Sequence, residues 1–390
     1  HVRARLRRGN ATAVTLAVGR ADWLAFPFPA ARGWESSIVA RAGRDFVREA
    51  LTGLDGLGVS LIIDALAPRA IRRDPSLAGR TARGAASAEF LSVSALDGGY
   101  FGAHLEAVCH EVARRYRPER IGLTELMFND ATFGRGDLAH FTAHTGRSGF
   151  PRSKDGGIDV DHPAIHRWRS DSLARLLGRI SAQVARFGVL VETDVRANWK
   201  NPHGDRADSG HDYALLLKSV DRIAVWNYFA LAGVGPGYGA DLASSLGRRF
   251  GDRVVMATGL WSTGGRVVSP GDLGAALLAV ASAGANAVSV IPASLMEEGH
   301  WVALEGAWGG PRRPGPAGGA GGLERGPSRS AGRRSGKGAG PLAVAVASPG
   351  INEPRPSEPR SGTASDPAAS DPSEPSAEPM EIPPVIGRVT

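Results

Sequence analysis

Seven apolar runs of six or seven residues recur along the chain, and their spacing constrains the fold more than any other feature. They are "AVTLAV" (13–18), "VSLIIDA" (59–65), "RIGLTEL" (120–126), "VLVETDV" (189–195), "RIAVWNY" (222–228), "RVVMAT" (253–258) and "AVSVIP" (287–292). Runs this short read as strands buried on both faces. The stretches between them have helical periodicity. "RDFVREALTGLDGLG" covers 44–58, and "GAHLEAVCHEVARRYRP" stops at Pro118. "SDSLARLLGRISAQVARFG" ends on Gly188, and "GDLGAALLAVASAGA" leads into the last run. Strand and helix in strict alternation over some 300 residues predict a parallel sheet with right-handed crossovers. A (β/α)8 barrel satisfies that pattern, with its eighth strand either before residue 1 or near the N-terminus. An open doubly wound sheet is the alternative. No G-x-G-x-x-G follows the first strand, so a dinucleotide fold has little support.

Composition changes where the alternation ends. The 390-residue chain is 42% hydrophobic and 22% charged, as expected of a soluble protein. Residues 310–390 are rich in Gly, Pro, Ser and Ala, and cannot bury enough apolar surface to offset their ordering entropy. They are expected to form a disordered tail. Residues 13–309 form the barrel, and residues 1–12 a basic stub. The formal net charge of +7 lies largely in the stub and in "RSAGRRSGKG" of the tail. It therefore carries little information about the folded domain, for which no nucleic-acid partner is expected. The basic tail suits an anionic polymer, nucleic acid or cell wall, or else is a solvated linker with no partner. Cys109 is the only cysteine, placed on the buried face of a helix, so no disulfide forms within the chain. No apolar run reaches eighteen residues, so no membrane span is expected. The chain opens on His1, as a processed form or a fragment would; secretion or association with the cell envelope is the expectation.

Polar and aromatic residues collect at the predicted C-terminal strand ends, where barrel active sites lie. Asp64 ends the second run. Glu125, Asn129 and Asp130 follow the third. Glu192 and Asp194 alternate along the fourth, so both point to one side. Trp199 comes next, Trp226 and Tyr228 end the fifth run, and Trp261 follows the sixth. Carboxylates ringed by indoles suit a sugar site: aromatic faces stack on apolar sugar faces, and paired acids divide proton transfer and charge stabilisation. Strand-end carboxylates also cap helices and pair with arginines, and that is the expected role of Asp64. Glu125 faces either the barrel interior or the helix layer. The segment 129–167 is the longest stretch without a helical pattern, and a loop that long is usually functional. Within it His140 and His144 are spaced like metal ligands, but no third ligand accompanies them. They are expected to brace the loop, with no metal and no cofactor. Asp161 is expected to cap a helix that has Pro163 in its first turn, while His162 and Arg169 brace the structure or reach substrate. No G-x-S-x-G, P-loop or H-E-x-x-H occurs.

The stretch "HLEAVCHEVARRYRPERIGLTELMFNDATFGRGDLAHF" resembles the glycoside-hydrolase domain of bacterial poly-β-1,6-N-acetylglucosamine deacetylases. "ETDVRANW", "RIAVWNYFALAGVGPGY", "RVVMATGLW" and "AVSVIP" follow in that family's order, so the resemblance spans roughly residues 13–308. It implies a (β/α)8 barrel that cleaves partly deacetylated poly-N-acetylglucosamine internally. The deacetylase domain has no counterpart here. Where the family has His-Asp-Asp-Ala, this chain has Phe128, Asn129, Asp130 and Ala131. The resemblance then makes Asp130 the general acid and Asn129 a ligand of the acetamido group. Glu125 or Asp194 supplies a second carboxylate, and Trp199, Trp226, Tyr228 and Trp261 form the sugar platform. Asn129 cannot balance a developing positive charge, so a non-catalytic polysaccharide-binding barrel is the alternative. A lyase or isomerase that uses Glu125 and Asp194 is a third possibility.

Overall fold

A computed structural model describes residues 2–31, 33–128 and 130–308, together with the short strands Leu342–Ala345 and Arg388–Val389. Seven parallel strands form one curled sheet: β1 (Ala13–Arg20), β2 (Gly58–Asp64), β3 (Arg120–Thr124), β4 (Leu190–Arg196), β5 (Arg222–Asn227), β6 (Val254–Gly259) and β7 (Val288–Ile291). Neighbours in sequence are neighbours in the sheet. Both free edges, β7 and β1, pair in parallel with β8 (Leu342–Ala345), which closes the ring. Arg388–Val389 runs antiparallel at the same place. The eighth strand is thus drawn from beyond residue 310, not from the N-terminal side. The remainder of the expected tail lies outside the described residues. The basic stub forms a helix, Val2–Arg8, which docks on the last helix through Arg8 with Glu298 and Glu305.

Strand parity divides the interior into two clusters. Alternate side chains face opposite sides of a strand. Leu61, Ile63, Ile121, Leu123, Val191, Val195, Ile223 and Val225 point outward and pack under the helices. Burying each such side chain contributes roughly 1.5–3 kcal/mol, so this layer holds the barrel together. Ala224, Trp226, Val255 and Ala257 point inward and form a second, smaller cluster. The inner floor is polar: Glu192 pairs with Arg222. Asp194 and Arg196 continue that face of β4 toward the mouth.

The helices are α1 (Tyr100–Tyr116), α2 (Arg135–Thr145), α3 (Pro163–Ala185), α4 (Tyr238–Phe250), α5 (Pro270–Ser282) and α6 (Glu298–Trp308), together with shorter pieces. Three expectations need correction. The segment 129–167 contains α2 and is not continuously irregular. The helix expected over 44–58 is only Phe46–Thr52, because Gly53 and the turn after it stop the helix. The cap of α3 is His162, whose Nδ1 accepts from Ala164 N–H at 3.0 Å, and not Asp161. Cys109 is buried on α1, as its helical position implied.

Candidate active site

Three of the sequence-selected carboxylates converge at the C-terminal mouth. Asp64 ends β2, is buried, and accepts from Leu66 N–H at 2.8 Å. Burial pushes its pKa up to about 7; the Leu66 N–H and Arg20 pull the other way, while Asp22 and Glu89 add to the rise. Glu125 follows β3 directly. Burial pushes it up to about 8, and the nearby negative charges of Asp64, Asp194 and Glu89 add to that, against Arg196. Asp194, buried on β4, accepts from Trp226 Nε1–H at 3.2 Å. Asp64, expected to be structural, therefore belongs to the same group as Glu125. Glu89, which sequence reasoning missed, belongs there as well. It lies on a hairpin of Ala78–Arg80 and Ala86–Leu91, where "AASAEFLSV" is too small and polar to announce a strand.

Backbone geometry settles which way Glu125 points. A strand continued past Thr124 would turn residue 125 toward the helices. Glu125 instead has φ of 56°, a left-handed conformation that non-glycine residues rarely adopt. This breaks the alternation and places its carboxyl among the mouth acids. Such a conformation costs roughly 1–2 kcal/mol and persists only where neighbours impose it. The neighbours are specific. Met127 N–H donates to Glu125 O at 3.0 Å, and Phe128 N–H to Ser209 O at 3.0 Å. His211 bridges the two strand ends: its Nδ1 accepts from Arg196 N–H at 3.1 Å, and its Nε2 lies 3.1 Å from Leu126 O. Those partners require the neutral ring with hydrogen on Nε2. Burial lowers the His211 pKa to about 4, which keeps the ring neutral.

The four sequence-selected aromatics meet in the inner cluster, joined by Phe90 of the hairpin and by Met127. Trp226 and Tyr228 stack, with centroids 5.2 Å apart and ring planes 10° from parallel; Trp261 leans on Tyr228 at 5.2 Å. Trp199 packs on Tyr238. Trp226 and Tyr228 are buried, while Trp199 and Trp261 are half-buried. The first pair is a floor, and the second pair offers accessible faces. Gly259 makes the floor possible, because a Cβ there would lie 2.4 Å from Tyr228 Cδ1.

Asp130 stands apart. It is exposed on the loop after β3, and its negative charge acts on Arg169, Arg196 and Arg206. Asn129 lies outside the described residues. The expected catalytic trio is thus divided: Asp194 is buried, Glu125 is half-buried beside it, and Asp130 lies on an open, arginine-rich rim. His140 and His144 sit on α2. His140 Nδ1 accepts from Trp168 Nε1–H at 2.9 Å, and its Nε2 lies 3.2 Å from Asp97. His144 contacts Asp171 and Arg175. These bonds tie α2 to α3.

The whole architecture matches solved glycoside-hydrolase barrels. The PgaB (BpsB) glycoside hydrolase domain from Bordetella bronchiseptica aligns with a TM-score of 0.58 and 15% identity, over 77% of this chain and 88% of that one. A β-galactosidase from the psychrophilic Marinomonas ef1 gives 0.56 at 13% identity, over 78% of this chain but only 56% of the galactosidase. The catalytic domain of a Paenibacillus polymyxa β-amylase gives 0.53 at 14% identity, over 78% and 92%. No protein-family model matches the sequence, and no curated protein matches it. The chain has the fold of a glycoside-hydrolase-like (β/α)8 barrel.

Proposed function

We propose that this protein is a glycoside hydrolase that cleaves an amino-sugar-containing polysaccharide of the poly-N-acetylglucosamine kind, at the cell envelope or outside the cell. The observation that carries the proposal is Glu125, an acid in a strained conformation whose pKa is pushed up to about 8 beside two further carboxyls. A carboxyl that keeps its proton at neutral pH is suited to protonate the leaving glycosidic oxygen. Bond cleavage then builds positive charge on the sugar ring, and Asp194 faces that charge from the next strand. Trp199 and Trp261 stack on the sugars across the mouth. Asp130, first expected to be the acid, serves on the rim as a substrate contact beside Asn129. This assignment of the acid rests on burial, which is partial at Glu125 and lacking at the exposed Asp130.

Glu125→Gln and Asp130→Asn, assayed on partly deacetylated poly-N-acetylglucosamine, test the proposal. Loss of the general acid should cost roughly 10²–10⁴-fold in rate. That loss is expected for Glu125→Gln, with a smaller effect from Asp130→Asn. The reverse order would return the acid role to Asp130. Binding by the unmodified protein without any product would support the polysaccharide-binding barrel instead.

A further inference from the structure

Glu192, Asp194 and Arg196 share one face of β4. Glu192 meets Arg222 on the floor and Asp194 meets Trp226 halfway up, so the third side chain of that row, Arg196, stands at the mouth. Its backbone is fixed at both groups: the N–H donates to His211, and the carbonyl accepts from Tyr213 O–H at 2.6 Å. No acceptor among the described residues lies within hydrogen-bond distance of its guanidinium. The neighbouring arginines differ. Arg206 holds both oxygens of Asp208, at 2.8 and 2.7 Å. Arg169 donates to Thr132 Oγ1 at 3.0 and 2.7 Å and to Asp208 O at 2.5 Å. Arg206 and Arg169 are thus taken up by their partners, while Arg196 meets Asp208, Glu125 and Asp130 only through longer-range charge and holds the unused donors. Burial and the charge of Arg206 lower the Arg196 pKa, against the negative charges of Asp208, Glu125 and Asp130. A half-buried guanidinium with free donors is preorganised for an anionic acceptor, and its planar fork matches a carboxylate.

We propose that Arg196 binds a carboxylate carried by the polysaccharide. The preferred substrate class is then an acidic polymer in which hexosamine alternates with a uronate or another carboxylated sugar. This inference rests on the amino-sugar reading above and goes beyond it, because poly-N-acetylglucosamine itself carries no carboxylate and the preferred polymer would be a hexosamine chain that does. The carboxylated unit lies on the Asp130 side of the cleavage point.

The test uses the full chain carrying Glu125→Gln, expected to turn over substrate roughly 10²–10⁴-fold more slowly, in affinity electrophoresis. One gel contains a glucuronate–N-acetylglucosamine polymer, a second the same polymer with its carboxyls reduced to alcohols, and a third the carboxyl-reduced polymer carrying sulfate esters. Retardation should be strong in the first gel and at least about tenfold weaker in the second, the size expected for one charge-assisted contact. Adding Arg196→Met should abolish the difference, and Arg196→Lys should restore part of it. Arg72→Met, an exposed change of equal charge, should leave it intact. Equal retardation with and without carboxyls overturns the inference, as does an unchanged difference in Arg196→Met. Equal or stronger retardation by the sulfated polymer overturns the choice of carboxylate. Because these arms read binding, they stand even if the unmodified protein hydrolyses nothing. Hydrolysis that proceeds equally on the carboxyl-reduced polymer would defeat the inference while leaving the hydrolase reading in place.

Discussion

Replacing Glu125 with Gln should make the protein less active and, at high pH, more stable. The Glu125 pKa is raised from 4.5 to about 8, so ionising it in the folded state is opposed. A shift of one unit corresponds to about 1.36 kcal/mol, which sets a ceiling of about 5 kcal/mol. Asp64 shares the same enclosure and titrates with it, so roughly 2 kcal/mol is the expected share of Glu125. The sign follows from the direction of the shift. A raised carboxyl stabilises the fold fully below its unfolded value near 4.5, and that contribution is lost as pH rises through about 8. The unmodified protein should therefore lose stability between pH 5 and pH 9, and Glu125→Gln should lose less. Thermal unfolding followed by circular dichroism at pH 5, 7 and 9 measures this. The variant should melt several degrees above the unmodified protein at pH 9 and close to it at pH 5. Parallel pH dependences would show that Glu125 carries no displaced proton, and the case for it as the acid would fall.

Other expectations concern the groups around it. His211→Gln should cost about 2–4 kcal/mol, by stranding the buried Arg196 N–H and Leu126 carbonyl, and should lower kcat more than it raises KM. The unmodified protein should also lose stability as pH falls from about 6.5 to about 4, because the unfolded chain takes up a proton that buried His211 refuses; His211→Gln should flatten that slope in denaturant titrations. Gly259→Ala should displace the Tyr228 ring, at about 1–3 kcal/mol, visible as a changed near-ultraviolet dichroism of the Trp226–Tyr228 stack. Trp261→Ala, by contrast, should raise KM with little change in melting temperature, since that indole is only half-buried.

The sequence revealed the barrel because a parallel strand covered on both faces must be apolar, and a crossover helix must follow it. That Glu192 and Asp194 share one face of β4 was equally legible, since side chains alternate along a strand. Glu125 was not. Strand alternation sends it outward, and only a left-handed backbone at that residue, imposed by Ser209 and His211 from another loop, brings it back. Glu89 and Phe90 escaped notice for a related reason, because a hairpin of small residues carries no strong pattern. The eighth strand was hidden by its surroundings: "LAVA" lies between Gly- and Pro-rich segments whose composition argued against any strand.

The order of these misses is informative. What local pattern predicted was the scaffold and the side chains that follow its periodicity. What it left open was which way Glu125 faces, and it gave the acid role proposed here for Glu125 to Asp130 instead. A conformation costing 1–2 kcal/mol, held by a buried neutral histidine, is not needed to build the barrel, since an ordinary strand end would serve. Its effect is to bring Glu125 into a carboxyl group where its proton is retained. If His211→Gln unfolded no more readily than the native chain, yet lost activity, the strain would be serving catalysis alone. If it lost stability with activity intact, the left-handed turn would be a packing feature, and the acid would have to be sought again at Asp64 or Asp130.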